Sequence, residues 1–142
     1  LDEVRTAVDR LAGVARVVVM HCVTQYPTSD EDAGLRAIEA LGTAFPEVDV
    51  GYSDHTLGTV APVVAAALGA TVIEKHFTLD RSLPGTDHVL SVLPSELATM
   101  VTDLRRASAM LGRIGKAPIP AEREIAELVR RRFPKPEAAA AR

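Results

Sequence analysis

The sequence predicts an α/β domain in which strands and helices alternate to build a parallel sheet, and three observations carry that prediction. Residues 15–22 hold the β-branched run Val17, Val18 and Val19, and a run without polar alternation marks a strand covered on both faces. Two more short apolar runs, 47–51 and 70–75, are separated from it and from each other by segments with helical apolar spacing. An alternating order of this kind specifies a parallel sheet with helices outside it. Finally, His55 stands just past the second run and His76 just past the third, at the same end of both strands. Parallel neighbours lie about 4.8 Å apart, and a right-handed crossover brings both carboxyl ends to one edge.

Each element has its own signal. Residues 2–11 place Val4, Val8 and Leu11 at helical spacing among charges, which makes a surface-packed helix. The strand at 15–22 leads into a loop, 23–29, punctuated by Pro27. Ser29 with Asp32 three residues on has the form of a capping box, with Asp in place of the usual Glu or Gln. The helix that follows puts Leu35, Ile38, Leu41 and Phe45 on one stripe, and Pro46 ends it. After the strand at 47–51 come a loop, 53–58, and an Ala- and Val-rich helix closed by Gly69 as a C′ residue.

The strand at 70–75 is followed by a long loop, 77–93, with the turn signal Pro84-Gly85. Loops of this length inside compact domains are usually functional. Pro94 opens a helix with the stripe Leu97, Met100, Val101, Leu104 and Leu111, stopped by Gly112. From Gly112 to Pro120 the composition shifts to Gly, Pro and Lys, which reads as a linker. Residues 121–133 are expected to form a short helix and 134–142 to be disordered. The domain reading is therefore 1–112 for the α/β unit and 113–142 for linker, helix and tail.

Bulk properties narrow the function. A chain of 142 residues fits one ordinary domain with a real core, and 47% hydrophobic with 25% charged residues is a soluble, globular composition. The net charge of −3 gives no electrostatic case for nucleic acid or an anionic membrane surface. The longest apolar stretch, 60–70, is too short to span a bilayer. Neither nucleic acid nor membrane is an expected partner. No segment joins a basic start, an apolar core and a cleavage site, and the single Cys22 cannot form an internal disulfide, so a cytoplasmic location is expected. The start at Leu1 rather than Met suggests an excised or truncated piece. No nucleotide fingerprint or Walker A loop is visible.

Two imidazoles on one edge can meet on a single metal ion and leave coordination positions open for substrate. Either His alone is the hydrogen-bonded kind found in many cores; their shared place at successive strand ends favours a joint metal or substrate site. His21 and Cys22 are an alternative source of ligands for a four-ligand zinc set, although Cys22 sits in a register that suits packing. Ser53 and Asp54 either bond their own backbone in a turn or form the mouth of the site, Ser53 facing an anion and Asp54 fixing a His tautomer. Glu74 and Lys75 alternate along a strand end, so one points inward, and a charge inside an apolar strand is costly unless used. Tyr26, after the first strand, and Asp87 with His88, in the long loop, are each either ordinary loop residues or contacts for a polar ligand. Arg130-Arg131-Arg132 reads as a solvated helix end that suits the dipole. No nucleophile elbow with Ser-His-Asp is visible, and Cys22 has no activator.

Several blocks together resemble the N-acetylneuraminate (sialic acid) synthase family. They are His21-Cys22-Val23-Thr24-Gln25-Tyr26-Pro27-Thr28, Leu35-Arg36-Ala37-Ile38-Glu39, Gly51-Tyr52-Ser53-Asp54-His55-Thr56-Leu57-Gly58, Ala67-Leu68-Gly69-Ala70, Ile73-Glu74-Lys75-His76-Phe77-Thr78-Leu79-Asp80 and Pro84-Gly85-Thr86-Asp87. The resemblance runs from about Val17 to Gly112 without gaps in motif spacing. It implies a (β/α)8 (TIM) barrel, of which this chain supplies a part: three parallel βα units resembling the sixth, seventh and eighth. It also implies a metal-dependent transferase that condenses phosphoenolpyruvate with N-acetylmannosamine or a related 2-acetamido sugar, releasing phosphate. By this resemblance His55 and His76 bind the metal, Mn²⁺ or Mg²⁺. Ser53 contacts phosphoenolpyruvate and, with Glu74 in the same pocket, forms the catalytic pair; Tyr26 and Asp87 contact the amino sugar. Thr24 stands where many members carry Asn or Ser toward phosphoenolpyruvate, and it keeps a hydroxyl.

An eight-stranded barrel takes about 250 residues. The amino-terminal half, which in the family supplies basic phosphate ligands and a further carboxylate, is not among these residues. Nor is the antifreeze-like domain that sends an Arg into the partner's site of the homodimer. The expectation is therefore part of a synthase that is inactive in isolation. Alternatives are a non-catalytic module that binds a metal or sugar phosphate, and a split-barrel subunit that needs an amino-terminal partner. The His-Cys-Val start and Tyr-Pro-Thr favour a neuraminate- or legionaminate-type sugar over pseudaminate, and the sequence leaves the choice open.

Overall fold

Alternating helix and strand signals in the sequence become, in the computed structural model, α1 (Asp2–Leu11), β1 (Val18–Cys22), α2 (Ala37–Ala44), β2 (Asp49–Asp54), α3 (Val60–Ala67), β3 (Val72–Lys75), α4 (Pro94–Leu111) and α5 (Pro120–Arg132). The structure describes residues 1–112 and 115–133. The chain divides into two units, Leu1–Gly112 and Arg113–Arg142.

The sheet has the order β1-β2-β3, and both pairings are parallel. Val18 lies opposite Asp49 and Cys22 opposite Ser53; Gly51 lies opposite Val72 and Asp54 opposite Lys75. Side chains alternate across a strand, so Val50 and Tyr52 share one face of β2 while Gly51 and Ser53 share the other. Helices α2 and α3 both pack on the Val50 face, where Ile38, Ala61, Ala65 and Ala70 complete the buried core, with Leu35, Leu41, Leu68 and Ile73 against it. Burying an aliphatic side chain of this kind stabilises by about 1.5–3 kcal/mol. Helix α4 packs on α3.

Local chemistry sets the helix ends. Arg5 of α1 lies over the Phe45 ring at 4.3 Å, donates to the Ala44 carbonyl at 2.6 Å and pairs with Glu47, fixing α1 to the end of α2. At α4, Pro94 takes the first position and the Glu96 carboxylate accepts the Leu93 N–H at 2.7 Å, so an otherwise orphan donor is satisfied. Helix α5, in the second unit, buries none of its residues and ends in Arg130, Arg131 and Arg132, at the negative end of its dipole.

Three expectations are corrected. Strand β2 does not end at Gly51 but runs to Asp54, so Ser53 and Asp54 belong to the strand rather than to a loop. Glycine at 51 serves a close approach: a Cβ there would lie 2.9 Å from the Val72 carbonyl oxygen. Ser29 and Asp32 close a turn instead of opening a helix; the Ser29 hydroxyl donates to Asp32 at 2.8 Å and accepts the Asp32 N–H at 3.3 Å. Helix α2 begins only at Ala37, after Gly34 at φ 57°. The strands β1 and β3 are also shorter at their starts than the apolar runs suggest. The tail at 134–142 lies outside the described residues. Among those residues, no helix is long and apolar enough to cross a membrane.

Candidate active site

The last rung between β2 and β3, Asp54 opposite Lys75, divides the polar residues of the strand ends into two sets. Toward the helices lies a buried network. The Lys75 ammonium is 2.7 Å from Asp54 Oδ2, with side-chain exposures of 2% and 0%, and it also donates to the Thr56 carbonyl. Asp54 Oδ1 accepts the Tyr52 hydroxyl at 3.0 Å and the Thr56 N–H at 2.8 Å. Burial, then the neighbouring Asp54 carboxylate, holds the Tyr52 phenol well above its ordinary pKa. Asp54 therefore does not fix a His tautomer, the role considered for it from sequence; it is consumed by three donors in the core.

The opposite face carries the other set. Ser53 and Glu74 lie opposite each other, and the Ser53 hydroxyl donates to Glu74 Oε1 at 2.6 Å. Two residues further along the chain from each, His55 and His76 bring their rings edge to face with centroids 5.2 Å apart. Tyr26, half exposed, stacks on His55 at 4.0 Å between centroids and meets His76 edge-on at 5.7 Å. The three rings form one cluster. His55 Nδ1 is 2.7 Å from the Val23 carbonyl oxygen, which can only accept, so in the neutral ring Nδ1 carries the proton and Nε2 keeps its lone pair.

Asp87 is exposed in the long loop, accepts the Thr86 hydroxyl at 3.0 Å, and brings Oδ2 within 3.9 Å of His76 Nδ1, beyond hydrogen-bond reach. Thr24 is exposed in the loop after β1. The loop itself is pinned: His88 Nδ1 meets the Thr78 hydroxyl at 2.8 Å, Arg81 donates to the Ser91 carbonyl at 3.0 Å, and Val92 donates to the His76 carbonyl at 2.8 Å. The structure thus brings together Tyr26, Ser53, His55, Glu74 and His76, with Asp87 at their margin.

The His pair suits a shared metal ion. Two imidazoles each about 2.1 Å from one ion have ring centres roughly 4.5–5.3 Å apart, depending on the angle between them. Among the described residues, no group of three or more His, Cys, Asp and Glu side chains converges as a metal site, so the pair is an incomplete ligand set. The His21–Cys22 alternative is not assembled: His21 Nε2 bonds the Ala33 carbonyl at 2.8 Å and its ring stacks on Tyr52, while Cys22 Sγ stands 3.9 Å from His55 Nδ1. Sequence reasoning missed the Val23 carbonyl, a backbone group with no signature. It also missed the Asp54–Lys75 pair, which has one: an acid and a base, each immediately before a His at a strand end.

Comparison with known proteins gives this geometry a context. The model of the family described as the NeuB family matches residues 1–116. An uncharacterized protein of Methanocaldococcus jannaschii is 50% identical over 119 residues, 84% of this chain and 35% of its own length. The N,N'-diacetyllegionaminic acid synthase of Legionella pneumophila is 44% identical over 137 residues, 92% of this chain and 38% of the synthase. Among solved structures, the N-acetylneuraminic acid (sialic acid) synthetase of Leptospira borgpetersenii superposes with a TM-score of 0.82 at 39% identity, over 93% of this chain and 46% of that one. The chain thus spans a little over a third of the length of these two curated relatives.

Proposed function

The chain belongs to the NeuB family, and from that premise we propose that it forms part of a metal-dependent synthase. This enzyme joins phosphoenolpyruvate to an N-acetylated amino sugar, giving a nonulosonic acid and phosphate. The observation that carries the reading is the His55–His76 pair, at 5.2 Å between ring centroids, at the carboxyl ends of adjacent parallel strands. Active sites of (β/α)8 enzymes sit at that end of their strands. Helices on only one face of a three-stranded parallel sheet are what an arc of such a barrel would show, and the three βα units would be its sixth to eighth.

In this reading His55, through its free Nε2, and His76 hold a divalent ion, Mn²⁺ or Mg²⁺. When bound, that ion supplies Lewis-acid polarisation of the sugar carbonyl. Tyr26 packs against both imidazoles, limits their rotation and offers its hydroxyl to the sugar. Asp87, on the loop above, accepts from sugar hydroxyls. Ser53 and Thr24 are assigned to phosphoenolpyruvate, and Glu74, whose Oε1 accepts the Ser53 hydroxyl, is placed to take a proton from the added water or return one to the sugar oxygen. Lys75 and Arg81 are engaged by Asp54 and Glu96, so neither is offered as a phosphate ligand. Basic groups from elsewhere in a complete barrel would fill that role, and a homodimer of the cytoplasmic enzyme would complete the assembly.

Titration of the chain with Mn²⁺, beside His55→Ala and His76→Ala, tests the site: the parent binds and both variants lose binding. Equal binding by all three proteins would place the metal elsewhere. For turnover, these 142 residues with phosphoenolpyruvate, N-acetylmannosamine and Mn²⁺ are expected to release almost no phosphate. Losing even one electrostatic donor to a transition state costs roughly 10²–10³-fold. Adding an amino-terminal barrel half should restore release only while both His are intact.

A further inference from the structure

The geometry points to a second role at the strand ends, one that rests on the proposed metal site: we propose that the buried Asp54–Lys75 pair is a positioning device that sets the spacing of His55 and His76. Asp54 and Lys75 are the last paired residues of β2 and β3. Beyond them the two His backbones turn to different neighbours. The His55 carbonyl accepts the Thr28 N–H at 2.9 Å, and the His76 carbonyl accepts the Val92 N–H at 2.8 Å.

Where the backbone ladder ends, the Lys75 side chain continues it. Its ammonium reaches the Asp54 carboxylate, the residue before His55, and the Thr56 carbonyl, the residue after it. Asp54 closes the same bracket by accepting the Thr56 N–H at 2.8 Å. His55 is thus held from both sides by a group whose own next neighbour in the chain is His76. Alternation does the rest. With Asp54 and Lys75 directed into the core, Ser53, His55, Glu74 and His76 all turn to the other face, and a register slip of one residue would reverse every one of them.

A buried ion pair is a poor device for stability alone, because joint replacement by uncharged residues of similar volume is often neutral or stabilising. Its worth here lies in geometry. The double variant Asp54→Asn/Lys75→Met removes both charges together and is expected to fold with a melting temperature close to the parent's. In the metal-free protein, the nuclear Overhauser contact between the His55 and His76 ring protons should be lost. Mn²⁺ affinity, read by electron paramagnetic resonance, should fall about 10–100-fold, the usual effect of removing a group that orients a ligand. Tyr52→Phe serves as the contrast: it should lower stability and leave the ring contact in place.

A folded double variant with the parent's ring contact would overturn the proposal. Should the double variant not fold, Lys75→Arg decides instead. Its planar head meets the same two acceptors at a different reach, so the ring contact should weaken while the fold persists, and an unchanged contact would again overturn the proposal. The two readings fail separately: a parent that binds no Mn²⁺ sinks the metal site, whereas the ring contact still tests the positioning role.

Discussion

The two faces of the β2–β3 strand ends are built from alternating residues of the same short segments, yet they treat polar groups in opposite ways. On the helix face, Tyr52, Asp54 and Lys75 are buried and spend their hydrogen-bonding capacity on one another and on the Thr56 backbone. On the other face, His55, Glu74, His76 and Tyr26 make few bonds within the chain and keep ring edges or oxygens in hand. A buried polar group left unpartnered is costly, so Tyr52, Asp54 and Lys75 satisfy one another, and the adjoining Thr56 hydroxyl is the exception, buried without a partner among the described residues. The second face can stay incomplete under the proposed function, in which a metal ion and substrate complete it. Scaffold and chemistry are thus one residue apart along the chain.

The largest test of this contrast is to remove one charge from each face. Lys75→Met alone leaves the Asp54 carboxylate buried without its cation and should cost about 3–5 kcal/mol in urea unfolding. Glu74→Gln, on the exposed side, should stay within about 0.5 kcal/mol. Equal losses would erase the distinction between the faces.

Next in size is Tyr52→Phe, which removes one donor to Asp54 and should cost about 1 kcal/mol. Because the Tyr52 phenol is held above its ordinary value, the folded state binds that proton more tightly than the unfolded state does. Its stabilisation is whole below about pH 10 and is lost as pH rises through the folded value. The alkaline limb of a stability profile should therefore be shallower in Tyr52→Phe than in the parent.

On the open face, Tyr26→Ala should cost about 0.5–1.5 kcal/mol for the lost ring stack and should shift the His55 ring-proton resonances, which sense the Tyr26 ring current. The smallest effect is expected at Glu96, at the start of α4. The Leu93 N–H bond, then the Arg81 guanidinium, hold its carboxyl below the ordinary value. A depressed carboxylate stabilises above its unfolded value and loses that contribution as pH falls, so Glu96→Gln should slightly flatten the melting-temperature profile between about pH 5 and about pH 3.

Much of this arrangement was legible in the sequence. Val17 to Val19 announced a strand, although β1 is an edge strand only partly buried rather than covered on both faces. The two His at matching strand ends announced the edge where they meet, and Pro94 and Gly112 bracketed α4. What failed shares a cause. Gly51, Ser53 and Asp54 have turn chemistry, and local chemistry alone stops β2 too early. Only the neighbouring strand explains them: Val72 crowds position 51, Glu74 takes the Ser53 hydroxyl, and Lys75 takes Asp54 into the core. Ser29 and Asp32 misled in the same way, since the bond from the Asp32 N–H to the Ser29 hydroxyl can close a turn as well as cap a helix. The orientation of His55 by the Val23 carbonyl was out of reach, because a backbone acceptor leaves no mark in the side-chain alphabet.

The buried pair also restricts how this sequence can drift. Substitution usually proceeds one codon at a time, and either single loss at position 54 or 75 passes through a protein with one uncompensated charge in its core. Joint loss escapes that penalty and, under the proposed positioning role, would cost the His spacing instead. Selection for folding would then guard the single steps and selection for the proposed chemistry the double one. Among functional relatives, positions 54 and 75 should stay acidic and basic together, whereas lineages that have abandoned the chemistry should lose both in concert.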